Sequence, residues 1–291
     1  MINTSYYQDL TKMNTFGMKV KARCFMEYDS VADLVDIEFE ELARPVLHIG
    51  GGSNLLFTDD FKGTVLHSKI NFIEILQNGH GSGDHPHDPN TVLVSVGSGV
   101  VFDDFCAWAA KEGLWGAENL SYIPGEVGAS AVQNIGAYGV EVKDVIHKVY
   151  CYDTVEEEFV SFGVEECEYG YRDSIFKDPE VKGRYIVTHV VFALSRTPQP
   201  RLDYGHLKEA VASFVSPSSD PRPATASLTH PLAGGGMSLP SDTEEAMMSR
   251  LTPALIRKVI IKIRKEKLPE PSVMGSAGSF FKNPVITAEH F

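Results

Sequence analysis

Residues 123–139, IPGEVGASAVQNIGAYG, form a segment that is unusually poor in bulky side chains. Its seventeen residues include four glycines, three alanines and an uncharged amide pair, Gln133 and Asn134. We expect it to be too glycine-rich for a stable helix interior and too small-sided to fill a core. Such a segment can instead form a wall of bare backbone, which a large flat ligand can approach closely. A glycine-rich connection with tight turns is the simpler alternative.

Two further segments have the same character, and together the three favour a cofactor cleft over simple turns. They are IGGGSN at 49–54 and GSAGS at 275–279. None contains the G-x-G-x-x-G that opens a helix in a dinucleotide fold, and the sequence has no G-x-x-x-x-G-K-[ST] phosphate loop. The NAD-Rossmann and phosphate-loop interpretations are therefore disfavoured. A flavin nucleotide held between two glycine walls remains.

Length and charge set the broad class of protein. A chain of 291 residues can bury a full core divided over two or three domains, and its 43% hydrophobic and 22% charged residues are typical of globular proteins. The formal net charge of −13 argues against a nucleic-acid partner. Because the sequence has no signal-peptide pattern and no long apolar run, we expect a cytoplasmic protein that does not insert into membranes. We also expect a monomer.

The periodicity of apolar residues predicts strands and helices along most of the chain. The first ten residues are polar, and we expect them to be loosely held. Ser30 is predicted to cap a helix over 31–42, and the glycines at 50–52 follow a strand of a β–α–β unit. Strands are predicted at 20–26, 45–50, 63–67, 91–97, 145–153, 158–160 and 185–194, and further helices at 101–112 and 251–265.

Two segments are predicted to be loops or linkers. Residues 78–90 contain His80, His85 and His87, whose spacing matches no standard metal site, so no metal is predicted. Residues 215–246 are rich in Ser, Pro, Thr and Gly and indicate a low-complexity insertion.

Two polar side chains are candidates for chemistry. Arg172 lies among aromatic and apolar neighbours, where it could form a structural ion pair with Asp173 or hold a carboxylate by a two-pronged hydrogen bond. Ser279 lies on a glycine-rich turn, where a serine more often caps the turn than acts in catalysis.

These residues belong to a set of motifs that resembles the UDP-N-acetylenolpyruvoylglucosamine reductase family. The resemblance covers about residues 12–210 and 250–291, and the motifs occur in the family's order. They are NTFG at 14–17, GGGSN at 50–54, IPG at 123–125, QNIGAYG at 133–139, YRDSIFK at 171–177, YG at 204–205, KLP at 267–269 and GSFFKNP at 278–284. The segment around Tyr204 resembles the subtype whose tyrosine loop folds over the substrate.

The resemblance implies an α+β fold. It comprises an FAD-binding domain of two subdomains, of the vanillyl-alcohol-oxidase-like (PCMH) type, at 12–70 and 71–204, and an incomplete substrate-binding domain at 205–291. It also implies non-covalent FAD, NADPH as hydride donor and a UDP-sugar enolpyruvate substrate. The residues expected to bind the cofactor are Gly50, Gly51, Gly52, Ser53, Asn54, Pro124, Gly125, Gly128, Ser130, Gln133, Asn134, Gly136, Tyr138 and Gly139.

By the same resemblance, Arg172 would stabilise negative charge on the substrate carboxylate, and Ser279 would donate a proton to the adjacent carbon. Tyr204, Lys267 and Asn283 would contact the nucleotide and diphosphate of the substrate. The basic residues Arg257, Lys258, Lys262, Arg264 and Lys265 lie on the helix before Lys267, and a basic helix there suits a diphosphate.

The chain departs from the family's pattern in one respect. The family's third catalytic residue, a glutamate in a C-terminal strand, has no counterpart before Phe291, so we expect a C-terminally truncated fragment. An inactive FAD-binding fragment is therefore the alternative to the full reductase. A related alcohol oxidase with covalent flavin is a further alternative, disfavoured because neither glycine wall holds a histidine; His48 precedes the first.

Overall fold

The computed structural model describes residues 1–76, 88–215, 248–270 and 273–277 of the chain. The strands are β1 Asn3–Asp9, β2 Lys21–Tyr28, β3 Val46–Ile49, β4 Phe61–Ser68, β5 Ile73–Ile75, β6 Thr91–Gly97, β7 Gly136–Ala137, β8 Val140–Glu141, β9 Ile146–Asp153, β10 Glu158–Gly163 and β11 Tyr185–Ser195. The α-helices are α1 Val31–Val35, α2 Phe102–Lys111, α3 Val127–Gln133, α4 Leu207–Val215 and α5 Pro253–Lys267. Among these described helices, none combines the length and the apolar character that crossing a membrane requires.

The first sheet has the strand order β1-β2-β4-β3. Strands β2, β4 and β3 run parallel, while β1 pairs antiparallel with β2. The prediction that the first ten residues are loosely held is wrong, because Asn3–Asp9 pair along β2 from Glu27 to Lys21. Pairing with an edge strand satisfies backbone groups without requiring apolar side chains, so composition alone did not indicate this strand.

The predicted helix over 31–42 is much shorter in the structure. Its start is confirmed, since the Ser30 side chain accepts a hydrogen bond from the Asp33 backbone N–H. The helix ends at Val35 because Ile37 and Phe39 both pack into the apolar cluster around Tyr28. In a continuous helix, the side chains of Ile37 and Phe39 would point to nearly opposite sides, because they are two residues apart, and both could not reach the same cluster.

The second sheet is antiparallel, with the order β10-β9-β11-β6-β5. Helices α2 and α3 pack on it, and the rings of Phe105 and Phe192 stack at 4.4 Å in the core between them. The prediction for α2 is confirmed to within one residue at each end, and Gly113 follows it with φ +70°.

Helix α3 corrects the prediction that residues 123–139 lack a helix. Gly128 lies inside α3 at a point where a Cβ atom would be 2.9 Å from the Cβ of Ser98. The first N–H groups of α3 are also satisfied from outside the helix, because Val127 and Gly128 donate to Val100 O and Ser98 O at 2.9 Å. Close packing and these donated bonds therefore stabilise a helix that its glycine content disfavours.

Helices α4 and α5 form a third unit with its own apolar cluster, and α5 also packs on α2. The Thr252 side chain caps α5 by accepting from the Leu255 N–H at 3.1 Å. Arg257 of α5 forms a two-pronged ion pair with Asp103 of α2, with one of its N–H···O distances at 2.9 Å.

Two predicted segments lie largely outside the described residues. They are nearly all of the insertion at 215–246 and most of the loop at 78–90, including its three histidines.

Candidate functional site

A cavity of about 880 Å³ lies where the two sheets and α5 meet. Ligand pockets in proteins span about 300–1,000 Å³, so this cavity has room for a ligand as large as a dinucleotide. The first glycine wall, at 50–54, follows β3 and lines one side of it. The second wall, at 123–139, lines another, and the third reaches the cavity at Ala277.

The first wall offers hydrogen-bond donors to the cavity. Among the described residues, none of the backbone N–H groups of residues 51–54 donates to a protein acceptor. Gly52 has φ +62°, and a Cβ atom there would lie 1.9 Å from Met13 O, so only glycine fits. Successive free N–H groups around a left-handed residue form a concave anion site, which suits a diphosphate.

The first and second walls touch each other. A Cβ atom on Gly51 would be 3.5 Å from Gly125 Cα, and the Ser53 hydroxyl donates to Pro124 O at 3.0 Å. Gly125 itself has φ +123°, a conformation that side chains disfavour. The junction therefore consists of backbone that approaches backbone.

Most of the predicted cofactor residues of the second wall line the cavity. They include Gly128, Ser130, Gln133, Gly136, Tyr138 and Gly139. Asn134 does not line it: the side chain is fully buried behind the wall and donates to Glu141 Oε2 at 3.1 Å and Gly170 O at 2.8 Å. Its φ of +43° ends α3, so the structure gives Asn134 a role in shaping the wall.

Arg172 faces the cavity from the other side of the second wall. One of its Nη atoms donates to Gly136 O at 3.2 Å, and the Lys177 ammonium donates to Arg172 O at 2.6 Å. Its φ of +55° is unusual for a residue with a side chain. These contacts orient the guanidinium, and its other donors have no acceptor among the described residues, so they can serve a ligand.

A polar rim closes the cavity near α5. The rings of Tyr138 and Tyr204 meet edge to face at 6.1 Å, and Tyr204 is 59% exposed, so its hydroxyl can reach a ligand. Arg264 donates to Tyr122 O at 3.1 Å and contacts the Tyr138 hydroxyl. Burial lowers the pKa of the Arg264 guanidinium, and burial also raises the pKa of Tyr138. Lys267 lies one helical turn after Arg264 and also lines the cavity.

The basic residues of α5 therefore serve different purposes. Only Arg264 and Lys267 line the cavity among the described basic residues of this helix. Arg257 is committed to Asp103, Lys262 lies over the Phe214 ring at 5.1 Å, and Lys265 lies over the Tyr122 ring at 5.3 Å. Arg264 was noted in the sequence only as one basic residue among several, and its place on the helix distinguishes it.

Among the lining residues that the sequence interpretation did not assign to the site are His48 and Glu126. His48 lies on β3 with its Nε2 atom 2.7 Å from the Tyr28 hydroxyl, and burial lowers its pKa to about 4. Glu126 lies in the second wall and contacts His67. Glu126 is the one charged residue of the segment 123–139, which was the available signal.

Ser279 and Asn283 lie outside the described residues, so their predicted roles stay predictions. The segment just before them is described. Ser276 donates its N–H to Thr15 O at 2.9 Å, and a Cβ atom on Gly275 would lie 2.4 Å from Phe16 O.

Comparisons with known proteins show the family and the fold of the chain. A family model described as an FAD binding domain matches residues 23–160. The UDP-N-acetylenolpyruvoylglucosamine reductase of Bacteroides fragilis (strain YCH46) is 44% identical over 97% of this chain and 72% of its own length. The enzyme of that name from Neisseria meningitidis serogroup A is 41% identical over 98% and 71%. A crystal structure of UDP-N-acetylenolpyruvylglucosamine reductase from Thermus caldophilus has a TM-score of 0.57 at 21% identity, covering 98% of this chain and 75% of that one, which shows a shared fold.

Proposed function

Because this chain belongs to the UDP-N-acetylenolpyruvoylglucosamine reductase family, we propose that it reduces UDP-N-acetylglucosamine enolpyruvate to UDP-N-acetylmuramate, with FAD as cofactor and NADPH as hydride donor. The product is a precursor of peptidoglycan. We also propose that the protein acts in the cytoplasm as a monomer; size-exclusion chromatography with light scattering tests the second point.

The observation that carries the proposal is the junction of the two glycine walls. Within the described part of the chain, the free N–H groups at 51–54 suit the cofactor diphosphate, and the two walls meet in van der Waals contact, with a Cβ atom on Gly51 3.5 Å from Gly125 Cα. Between Gly128 and Gly139, the small residues Gly128, Ala129, Ser130, Gly136, Ala137 and Gly139 line the cavity and leave room for a flat ring. These features fit non-covalent FAD.

The glycine walls at 50–54 and 123–139 would hold FAD, which when bound would supply hydride transfer from NADPH to the terminal carbon of the enol ether. Arg172 would hold the substrate carboxylate and stabilise the negative charge that develops on it. The bond from Arg172 to Gly136 O supports this role, because it fixes the guanidinium at the cavity wall before a ligand arrives. Ser279 would donate a proton to the carbon beside the carboxylate.

The rim near α5 is the proposed site for the diphosphate and nucleotide of the substrate. Arg264 and Lys267 supply two positive charges one helical turn apart, and Tyr204 supplies an exposed hydroxyl. Asn283 would complete this group. From the basic residues that the sequence names on the helix before Lys267, the geometry selects Arg264.

A steady-state assay tests the proposal. The chain loaded with FAD should oxidise NADPH at a rate that depends on added UDP-N-acetylglucosamine enolpyruvate, and the product should have the mass of UDP-N-acetylmuramate. The alternative, an FAD-binding chain without turnover, predicts bound FAD and NADPH consumption that the sugar nucleotide does not change. Absence of bound FAD would contradict both.

A further inference from the structure

His67 forms a buried bridge between two carboxylates beneath the glycine walls. It lies on β4 and is 3% exposed. Its Nδ1 atom is 3.0 Å from Glu27 Oε1, and its Nε2 atom is 3.0 Å from Glu126 Oε1. Burial by itself lowers the pKa of His67, but the hydrogen bonds and charges of Glu126 and Glu27 outweigh it, so the pKa is raised. A ring with both nitrogens protonated donates to both carboxylates.

The two carboxylates at this bridge differ in what lies beyond them. Glu27 is on β2, and it does not line the cavity. Glu126 lines the cavity, and its side chain is only 11% exposed. A Cβ atom on Gly50 would be 3.3 Å from Glu126 Oε2, so this oxygen lies against the first wall.

The Oε2 atom of Glu126 has no hydrogen-bond donor within the part of the chain that the structure describes, whereas Oε1 is bound to His67. A carboxylate on a mostly buried side chain is stabilised when each of its oxygens accepts a hydrogen bond. A diphosphate has no proton to offer and would be repelled. The hydroxyl groups of a ribityl chain or a ribose are the donors that a dinucleotide carries.

We propose that Glu126 is a cofactor-binding residue whose Oε2 atom accepts a hydrogen bond from a hydroxyl group of the dinucleotide. This inference rests on the proposed function, since it needs FAD in the cavity. The hydrogen bond from His67 holds the Glu126 side chain in place and offsets part of the negative charge of its carboxylate. A carboxylate can therefore lie near the diphosphate site at 51–54. Glu126 thereby selects a sugar-bearing ligand over a bare phosphate.

The test is FAD affinity in three variants, measured by fluorescence titration of the apo chain. Glu126→Ala should raise the Kd for FAD by about tenfold or more, since hydrogen bonds to charged groups are the stronger class. Glu126→Gln keeps an acceptor oxygen and should lie between Glu126→Ala and the unaltered chain. Glu27→Ala is the matched control, because it also removes a partner of His67 but does not line the cavity, and its Kd should stay within about threefold.

Competition by FMN and ADP then identifies the hydroxyl. A ribityl partner predicts that Glu126→Ala weakens FMN and leaves ADP unchanged, and a ribose partner predicts the reverse. The proposal is overturned if Glu126→Ala binds FAD as well as the unaltered chain or more tightly, or if Glu27→Ala weakens FAD as much as Glu126→Ala. Failure of the unaltered chain to bind FAD would instead contradict the proposed function.

Discussion

Replacing Gly52 by alanine inserts a methyl group into the backbone of the segment that supports the first wall. The new Cβ atom would lie 1.9 Å from Met13 O and 2.7 Å from Met13 C, although real Cβ contacts are essentially never under 3.0 Å. Backbone cannot rotate away as a flexible side chain can. We therefore expect the wall and the Met13 segment to separate by about 1 Å, which is a large shift in a close-packed interior.

Gly17 provides the matched control for this change. Its φ is +66°, close to the +62° of Gly52, but a Cβ atom there would meet nothing within 4 Å. Both substitutions cost about 1–2 kcal/mol for a left-handed alanine. Only Gly52→Ala also disturbs the bonds from Thr15 to Gly52 O and Ser53 O, each worth about 0.5–1.5 kcal/mol. The free energy of unfolding should fall by about 2–5 kcal/mol for Gly52→Ala and about 1–2 kcal/mol for Gly17→Ala.

Cofactor affinity should separate the two variants further. A hydrogen bond to a charged group contributes about 1.5–3 kcal/mol, so loss of one N–H contact to the diphosphate should raise the Kd for FAD by about 10- to 100-fold. Gly17→Ala should change the Kd less than about twofold. Urea denaturation of the apo chain measures stability, and flavin fluorescence titration measures the Kd. The reasoning is refuted if both variants lose the same stability and bind FAD equally well.

The remaining predictions concern the proposed chemistry and one buried histidine. Arg172→Lys keeps the charge but loses the two-pronged geometry, so stopped-flow absorbance should show enol ether reduction slowed by about 10²–10³-fold and reduction of FAD by NADPH unchanged. Ser279→Ala should slow the same step by about 10²–10⁴-fold through loss of the proton donor, again without effect on the NADPH step. Burial lowers the pKa of His189 to about 4, below its unfolded value of about 6.5. The free energy of unfolding of the protein should therefore fall as the pH decreases through this range, because the unfolded state binds the proton more tightly. His189→Phe retains the stacking on Tyr150. Urea denaturation should show that the free energy of unfolding of this variant lies below that of the unaltered chain by an amount that shrinks from pH 6.5 towards pH 4.

Each of these predictions has a contradicting result. Equal slowing of the NADPH step would mean that Arg172→Lys or Ser279→Ala disturbs the cofactor site rather than the substrate. An unfolding deficit of His189→Phe that does not change with pH would mean that His189 titrates alike in both states.

Elements with strong periodicity could be predicted from the sequence, and elements formed by tertiary contacts could not. The alternation in β6 and the helical spacing in α2 gave bounds within one residue of those in the structure. Strand β1 exists because β2 offers an edge, and α3 exists because backbone carbonyls after β6 accept its first N–H groups. No local pattern carries either piece of information.

The same distinction holds at the site. The glycine walls were visible because three glycine-rich segments in one chain favour close approach of backbone over simple turns. Glu126 was not identified, and Arg264 was not distinguished from the other basic residues of its helix, since their place in the cavity depends on where His67 and α5 lie in three dimensions. Asn134 was assigned to the cofactor from its motif, and its burial behind the wall shows that a motif residue can act by shaping backbone.

The most direct test of the central claim is a titration of the apo chain with FAD by isothermal calorimetry, with flavin fluorescence recorded in parallel. The two walls predict one saturable site per chain and a change in flavin emission as the ring enters the cavity. Titration heats no larger than those of dilution, with emission identical to that of free FAD, would contradict the account.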